Sequence, residues 1–221
     1  RAAVTDYVAV PYTRELFWVK AHYGHGWFEE DRFRENVYLH EKSGYLRLGK
    51  PDIFAFNFGI VHVAQYGGNL REEPDYSWEF DDYRRIVFPS SGDLEDGPSE
   101  YINILGNHLG VWDWGVVFSL GEFSFTGYYQ HYFEDKGSLN DGGRGLYENH
   151  YDGLWGLSVE MPEQVPFFRT VLYEFVYTKH QSGPEHTAPD GTVIGGRDSY
   201  YSNGVYASGW SYLDRILGNS L

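Results

Sequence analysis

The clearest pattern in the chain is a two-residue alternation of apolar and polar side chains within residues 107–135. A Gly121-Glu122 step divides the alternation into two arms, and this combination is typical of a β-hairpin. Each arm is ~10–12 residues long, whereas a usual strand has ~5–6 residues and a tilted strand that crosses a bilayer needs ~9–11. The apolar set comprises Trp112, Trp114, Val116, Phe118, Leu120, Phe123, Phe125, Gly127 and Tyr129.

Further strands are predicted along the chain, most of them from the same alternation; residues 4–10 are a short apolar piece that ends a strand, and the two faces of 204–213 are hard to tell apart. The predicted strands cover residues 4–10, 16–28, 37–48, 53–66, 154–161, 167–179 and 204–213, with an interruption at Glu41 to Gly44. The helical spacing of Phe80, Tyr83 and Val87 predicts a short helix over residues 80–88. Ser99 and Gly106 could begin and end a second helix over residues 100–105. We expect eight or nine strands in total.

The lengths of the connections favour a membrane barrel over a soluble sheet. Short connections at 49–52, 121–122 and 162–166 alternate with long ones at 29–36, 67–108, 134–152 and 181–203. Outer-membrane barrels have short periplasmic turns and long extracellular loops. The predicted fold class is all-β: an up-and-down antiparallel transmembrane β-barrel, or a large part of one, with long extracellular loops that carry short helices.

The positions of the aromatic residues agree with this orientation. Trp112, Tyr129, Trp155 and Tyr177 would mark the outer interface as an aromatic girdle, with Phe123 and Phe167 on the opposite side. The row Trp114, Val116, Phe118, Phe125 and Gly127 is predicted to face lipid. A polar lumen would be lined by Ser124, Thr126, Gln130, Ser158, Thr170 and Glu174. The alternative is a soluble β-sandwich, in which the apolar row would contact a second sheet.

Composition narrows the class of protein. Aromatic residues make up 19% of the 221 residues, and 27 glycines accompany them, which favours an all-β protein with many turns. The mean hydropathy is −0.49 and no run of ~18 apolar residues occurs, so no membrane-spanning helix is predicted. The formal net charge of −15 argues against nucleic acid as a partner. The chain starts at Arg1 without a signal-peptide pattern, so we expect a processed protein or a fragment.

Motifs for catalysis or metal binding are weak. Glu174 lies within a predicted strand, either as a lumenal carboxylate paired with Lys or Arg or as the acid of a glycosidase, which would need a second carboxylate. The nine histidines lack dense ligand spacing; we expect them to form hydrogen bonds and not to bind metal. His22 and His25 should face opposite sides of their strand. The oxygen-rich run Asn140 to Gly143 is interpreted as a turn. No cofactor or nucleotide motif is present in the sequence.

Aromatic and arginine side chains in the long connections are the candidate binding residues. Exposed aromatic rings can stack on sugars, and arginine can hold a carboxylate with two hydrogen bonds. The candidates for polysaccharide binding are Tyr76, Trp78, Arg84, Arg85, Tyr147, Tyr200 and Tyr201, accompanied by Arg71, Tyr83, Tyr151 and Arg197. The alternative is that these side chains pack loop on loop and plug the barrel.

Several segments resemble the capsule-assembly Wzi family, in the versions from Bacteroidetes-like bacteria. They are DYVAVPYT, HYGHGWFE, YLHEKSGYLRLG, INILGNHLG, YYQHYFED, DGLWGLS, YTKHQSGPEHT and YYSNGVYASGWSY, in order from Asp6 to the end of the chain. The resemblance implies a non-enzymatic, lectin-like protein of the Gram-negative outer membrane, with capsular or surface polysaccharide and membrane lipid as partners. It also implies that residues 1–221 form one barrel domain, incomplete at both ends, with an extracellular loop at 67–108.

The sequence leaves three hypotheses. The first is a polysaccharide-binding outer-membrane barrel, the second is a porin or channel, and the third is a soluble β-sandwich glycoside hydrolase.

Overall fold

The computed structural model describes residues 1–69, 79–90, 105–134, 151–181, 186–187, 193–194 and 199–217. Eight strands form one antiparallel sheet in which each strand pairs with its neighbours in sequence. The strands are β1 (Ala2–Ala9), β2 (Phe17–Trp27), β3 (Glu35–Lys50), β4 (Phe54–Asn69), β5 (Asn107–Leu120), β6 (Phe123–Phe133), β7 (Gly153–Glu160) and β8 (Thr170–Tyr177). The predicted all-β, up-and-down topology is therefore confirmed.

Small elements complete the described structure. Helix α1 spans Phe80–Val87, as predicted. Two short ribbons pair β9 (His186–Thr187) with β10 (Val193–Ile194), and β11 (Ser211–Tyr212) with β12 (Arg215–Ile216). Within the described residues, every helix is too short or too polar to cross a membrane. The second predicted helix, over 100–105, and the Asn140 to Gly143 turn lie outside the described residues.

The β5–β6 hairpin forms as the sequence predicts. Leu120 pairs with Phe123 across Gly121-Glu122. Gly121 has a φ of +62°, and a glycine at the first central position suits a two-residue hairpin turn that matches the strand twist. The register is therefore fixed locally, by the turn.

Three predicted features of the strands are wrong. The predicted interruption at Glu41 to Gly44 is absent because β2 and β4 pair with this part of β3 on both sides. Strand β8 begins at Thr170, and Phe167 lies in the preceding connection with a φ of +78°, which strand geometry does not allow. Residues 204–213 form turns and one short strand, since Asn203 Oδ1 accepts the backbone N–H groups of Val205 and Tyr206 in a local turn.

The connections define two ends of the sheet. We call the end with connections 10–16, 51–53, 121–122 and 161–169 the turn end, and the opposite end the loop end. The connections 10–16 and 28–34 are of equal length, so the predicted alternation of short and long connections begins only after β3.

Cross-strand register divides the sheet into two faces, because paired residues share a face. The apolar face carries Phe54, Phe56, Phe58 and Ile60 of β4, paired with Phe118, Val116, Trp114 and Trp112 of β5. It continues through Phe125 and Tyr129 to Trp155, Leu157, Tyr173 and Phe175. The polar face carries Ser124, Thr126, Gln130, Ser158, Thr170 and Glu174. Both predicted sets of side chains are confirmed.

Each face is covered at the loop end by a different part of the chain. On the apolar face, Ile86 of α1 packs with Ala64 and Leu105. On the polar face, Tyr206 packs with Phe28 and Val37. We call residues 199–217 the polar-face segment. The turn-end half of each face carries no such cover in the described structure.

Candidate functional site

Four of the seven predicted polysaccharide-binding residues lie in the described structure, and the sheet separates them. Arg84 and Arg85 are on α1, over the apolar face. Tyr200 and Tyr201 are in the polar-face segment, beside β6 and β8. The structure thus gives two groups of two residues and does not bring the four into one cluster. The candidates Tyr76, Trp78 and Tyr147, with Arg71 and Arg197, lie outside the described residues.

Helix α1 is stabilised by its own sequence. The backbone N–H of Glu79 donates to Asp82 Oδ2 at 2.9 Å, and Glu79 in turn caps the first helical turn, which is the reciprocal arrangement of a capping box. Acidic residues occupy the first turn and basic residues the last, as the helix dipole favours.

The arginines of α1 are held by carboxylates of the same helix. Arg84 Nη1 lies 2.7 Å from Asp81 Oδ1, and Arg85 Nη2 lies 3.2 Å from Asp81 Oδ2. Arg85 also lies 3.8 Å from Asp82. Both arginines line a cleft of about 200 Å³, together with Asp81, Phe88 and Ser90.

Tyr200 and Tyr201 differ in what they offer to a ligand. Tyr200 is buried, and its hydroxyl donates to Asp152 Oδ2 at 2.9 Å. Asp152 is fully buried and also accepts the backbone N–H groups of His180 at 3.0 Å and Gln181 at 2.5 Å. Tyr201 is 60% exposed, and its hydroxyl donates to Thr178 at 3.2 Å. Tyr200 therefore positions the segment, and Tyr201 presents an open ring.

A histidine cluster on the apolar face was not predicted. His25, His40, His62 and His108 line up across β2–β5 at the loop end, with successive ring centroids 4.9, 6.0 and 5.0 Å apart. The carbonyl of Leu105 accepts from His108 Nε2 at 2.8 Å, so in neutral rings His108 Nδ1 accepts from His62 Nε2 at 2.8 Å. The prediction that His22 and His25 face opposite sides is confirmed by their pairing with Ser43 and His40.

This cluster has no metal-binding arrangement. Among the residues that the structure describes, no group of three or more His, Cys, Asp or Glu side chains is placed to hold a metal ion. The only sequence signal for the cluster would have been strand register across four strands, since its members are far apart in the chain.

At two places on the polar face, a tyrosine side chain crosses over the neighbouring strand and reaches a carboxylate on the strand beyond it. We call each of these arrangements a tyrosine crossing. Tyr45 of β3 lies over Gly59 of β4, and its hydroxyl donates to Asp113 of β5 at 3.4 Å. Tyr128 of β6 lies over Gly156 of β7, and its hydroxyl donates to Glu174 of β8. In each case a glycine leaves room for a tyrosine ring that reaches a carboxylate two strands away.

These crossings decide the environment of Glu174. The sequence suggested either a pairing with Lys or Arg or the role of a glycosidase acid, and the structure gives this carboxylate a tyrosine hydroxyl as its partner in place of a cation. The cations of the polar face lie elsewhere: Arg47 is 3.9 Å from the ring centroid of Tyr7 and donates to Asn57 at 2.8 Å. Lys20 Nζ lies 4.1 Å from the ring centroid of Tyr45. The polar face is thus a network of tyrosines, amides and separated charges.

Comparison of the chain with protein-family models, with curated proteins and with solved structures finds no match.

Proposed function

We propose that this chain is part of a non-enzymatic outer-membrane β-barrel that binds capsular or surface polysaccharide at the cell surface. The observation that carries the proposal is the sheet itself. Toward the turn end, one face is mainly apolar and open and the other is mainly polar and hydrogen-bonded, and the two alternate along β3–β7. On β8 the polar face also carries Leu172 and Val176. Strands of membrane barrels alternate in this way between lipid and lumen.

The exposure of the apolar face supports a lipid environment. On the central strand β5, Trp114 is 41% exposed and Phe118 40%, and Leu157 on β7 is 49% exposed. Within the described residues, no second sheet packs on them. Apolar area in water costs about 25 cal/mol per Å², and a continuous apolar patch of this kind marks a surface that contacts a membrane or a partner.

A barrel also requires paired edges. The described structure pairs β1 only with β2, and β8 only with β7. Open sheet edges do not occur in hydrocarbon because each unsatisfied backbone group costs several kcal/mol. The proposal therefore requires that both edges are paired in the membrane.

The membrane part of the proposal is tested by two adjacent positions on opposite faces. The chain has no cysteine, so Leu157→Cys and Ser158→Cys each accept a single bimane label. In lipid vesicles with doxyl-labelled acyl chains, we expect strong quenching at position 157 and little at 158. Equal quenching, or none at either position, would contradict the two-faced barrel.

The polysaccharide part rests on the exposed members of the predicted site. Tyr201 presents an open ring, and the Arg84 side chain is 63% exposed. We expect Tyr201→Ala and Arg84→Ala to weaken binding of purified capsular polysaccharide, measured by calorimetry. Tyr12→Ala is the control, because Tyr12 is fully exposed at the turn end. Undiminished binding in both variants would remove the site assignment.

The non-enzymatic part has its own test. We expect incubation with the polysaccharide to release no reducing sugar. Release that Glu174→Gln abolishes would show a glycoside hydrolase instead.

The polar network favours one alternative, an outer-membrane channel. Lys20 and Arg47 lie on β2 and β3, whereas Asp113 and Glu174 lie on β5 and β8. A lumen lined by this part of the face would therefore carry positive charge on one side and negative charge on the other. An open, ion-selective conductance in a planar bilayer would favour the channel, and a closed barrel would favour the polysaccharide-binding protein.

A further inference from the structure

We infer that α1 is a membrane-surface anchor whose exposed stripe, Phe80, Arg84 and Phe88, lies in the headgroup layer of the outer leaflet. The inference rests on the membrane part of the proposed function. It assigns to the outside of the barrel a lipid contact that is separate from the lipid-facing strands.

The orientation of α1 is fixed by its contacts with the apolar face. Ile86 is fully buried against Ala64 and Leu105. The Tyr83 hydroxyl lies 2.5 Å from that of Tyr23 and 3.1 Å from His25 Nε2. Lys42 donates to the carbonyl of Val87, at the end of the helix. These contacts come from three strands, so the helix cannot roll without breaking them.

The opposite side of α1 is aromatic and exposed. Phe80 and Arg84 are one turn apart along one side of the helix, and Phe88 is the C-cap residue one further turn along. Phe80 is 76% exposed, Phe88 71%, and the Arg84 side chain 63%, although the Phe80 ring lies near that of Tyr83 and Lys42 Nζ is 5.1 Å from the centroid of the Phe88 ring. Two phenylalanines exposed to this extent are unfavourable in water, whereas aromatic side chains are favoured where headgroups meet acyl chains.

The position of α1 along the strands matches this layer. On β4 the apolar face is continuous from Phe54 to Ile60, and α1 covers the next part of the same face, from the level of His62 to Tyr66. At ~3.4 Å per residue and a tilt of ~40°, residues 54–60 rise ~16 Å, so an apolar band ~25 Å tall that starts at Phe54 would end near the level of residues 62–64. The headgroup layer extends ~5–8 Å beyond the hydrocarbon, so α1, which lies over this level, overlaps with it.

The charges on α1 indicate that its membrane contact depends little on the charge of the lipid headgroups. Asp81 and Asp82 pair with Arg84 and Arg85, so the helix carries no net charge from these four residues. Attraction to anionic lipid is therefore weak, and insertion depends on the two phenylalanines. The Arg84 stem can lie along apolar surface with its guanidinium at the phosphate level. At that level it can also reach a sugar carboxylate, which is compatible with the polysaccharide-binding role proposed for it.

The experiment uses the full chain, reconstituted in phosphatidylcholine vesicles, with one bimane label at Phe88→Cys. Both phenylalanines are exposed, so a label at Phe80→Cys serves as a second position if the first variant folds poorly. We expect blue-shifted emission and stronger quenching by a doxyl group near the headgroup than by one deep in the acyl chain. Adding phosphatidylglycerol should leave the quenching unchanged.

Two control labels separate the possible outcomes. A label at Leu157→Cys should be quenched best by the deep doxyl group, and one at Tyr201→Cys by neither. If position 157 is quenched and position 88 behaves like 201, the anchor is overturned while the membrane barrel stands. If position 157 is not quenched, the proposed function itself fails. If position 88 is shielded from a water-soluble quencher and is quenched by neither doxyl group, a protein covers the stripe, which also overturns the anchor.

Discussion

The tyrosine crossings on the polar face give the sharpest test of side-chain placement. A Cβ at Gly156 would lie 2.0 Å from Cζ of Tyr128 and 2.4 Å from its Cε2. Contacts this short do not occur, so Gly156→Ala must displace the ring. The backbone at Gly156 needs no unusual φ, and the change therefore acts through Tyr128 alone.

The expected loss of unfolding free energy follows from the interaction that the displaced Tyr128 ring no longer makes. The side chain can rotate into the open space over the polar face, so the clash itself is relieved. What is lost is the hydrogen bond to the Glu174 carboxylate, about 1.5–3 kcal/mol for a bond to a charged group, reduced because Glu174 is solvent-exposed. We expect Gly156→Ala to lower the free energy of unfolding by about 1–2 kcal/mol.

The matched control is the glycine beside the same tyrosine. A Cβ at Gly127 meets nothing within 4 Å, so Gly127→Ala should be neutral or stabilise by about 0.4–1 kcal/mol through the unfolded chain. Guanidinium unfolding in detergent micelles, followed by tryptophan fluorescence, measures both variants. On a Tyr128→Ala background, Gly156→Ala should cost little, because the two changes share one interaction. Equal midpoints for Gly156→Ala and Gly127→Ala would refute the crossing.

Three further changes test other parts of the structure. Gly49→Ala should lower the free energy of unfolding by about 3 kcal/mol, more than Gly156→Ala does, because the φ of Gly49 is +97° and the new Cβ would lie 2.4 Å from the carbonyl oxygen of Phe54. Gly44→Ala is the control in the same denaturant titration, since a Cβ at Gly44 meets nothing within 4 Å. Asp152→Asn weakens a buried acceptor with three donors, so we expect a loss of about 1–3 kcal/mol and faster hydrogen exchange at residues 180 and 181; unchanged exchange would contradict this. Arg32 is buried and donates to the carbonyls of residues 209 and 211 at 2.8 and 2.5 Å, and Lys cannot reproduce this fork; Arg32→Lys should speed proteolysis within 203–212 and leave cleavage at 10–16 unaltered.

The sequence predicted best what is decided locally. In β5 and β6 the alternation and the Gly121 turn together set both the register and the face of every side chain, so the apolar row and the polar row of this hairpin were predicted residue by residue. Helix α1 was predicted from the spacing of Phe80, Tyr83 and Val87 for the same reason. Its capping box and charge order lie within one short stretch.

Features that depend on distant partners were missed. The polar stretch of β3 looked like a break, and only pairing on both sides keeps it extended. The histidine cluster joins residues from His25 to His108, which come together through the register of four strands. The strand predicted over 204–213 had two faces that are hard to tell apart in the sequence, and its backbone is bent at Gly209, with a φ of +61°, where Arg32 and Gln65 both donate to the Gly209 carbonyl. No local pattern contains those contacts.

The change of chemistry along β4 connects the fold with the proposed function. A strand needs ~9–11 residues to cross a bilayer at a tilt, and β4 has 16, so in the proposed barrel part of β4 would project beyond the hydrocarbon. On one and the same face, the apolar run ends at Ile60 and His62 begins the histidine cluster. Three of its four members, His40, His62 and His108, are buried beneath a part of the face that α1 and Leu105 cover, and such a cover would be unnecessary for side chains that contact lipid. The switch from bare apolar side chains to covered polar ones therefore marks the level at which the proposed membrane contact gives way to protein, and α1 lies at that level.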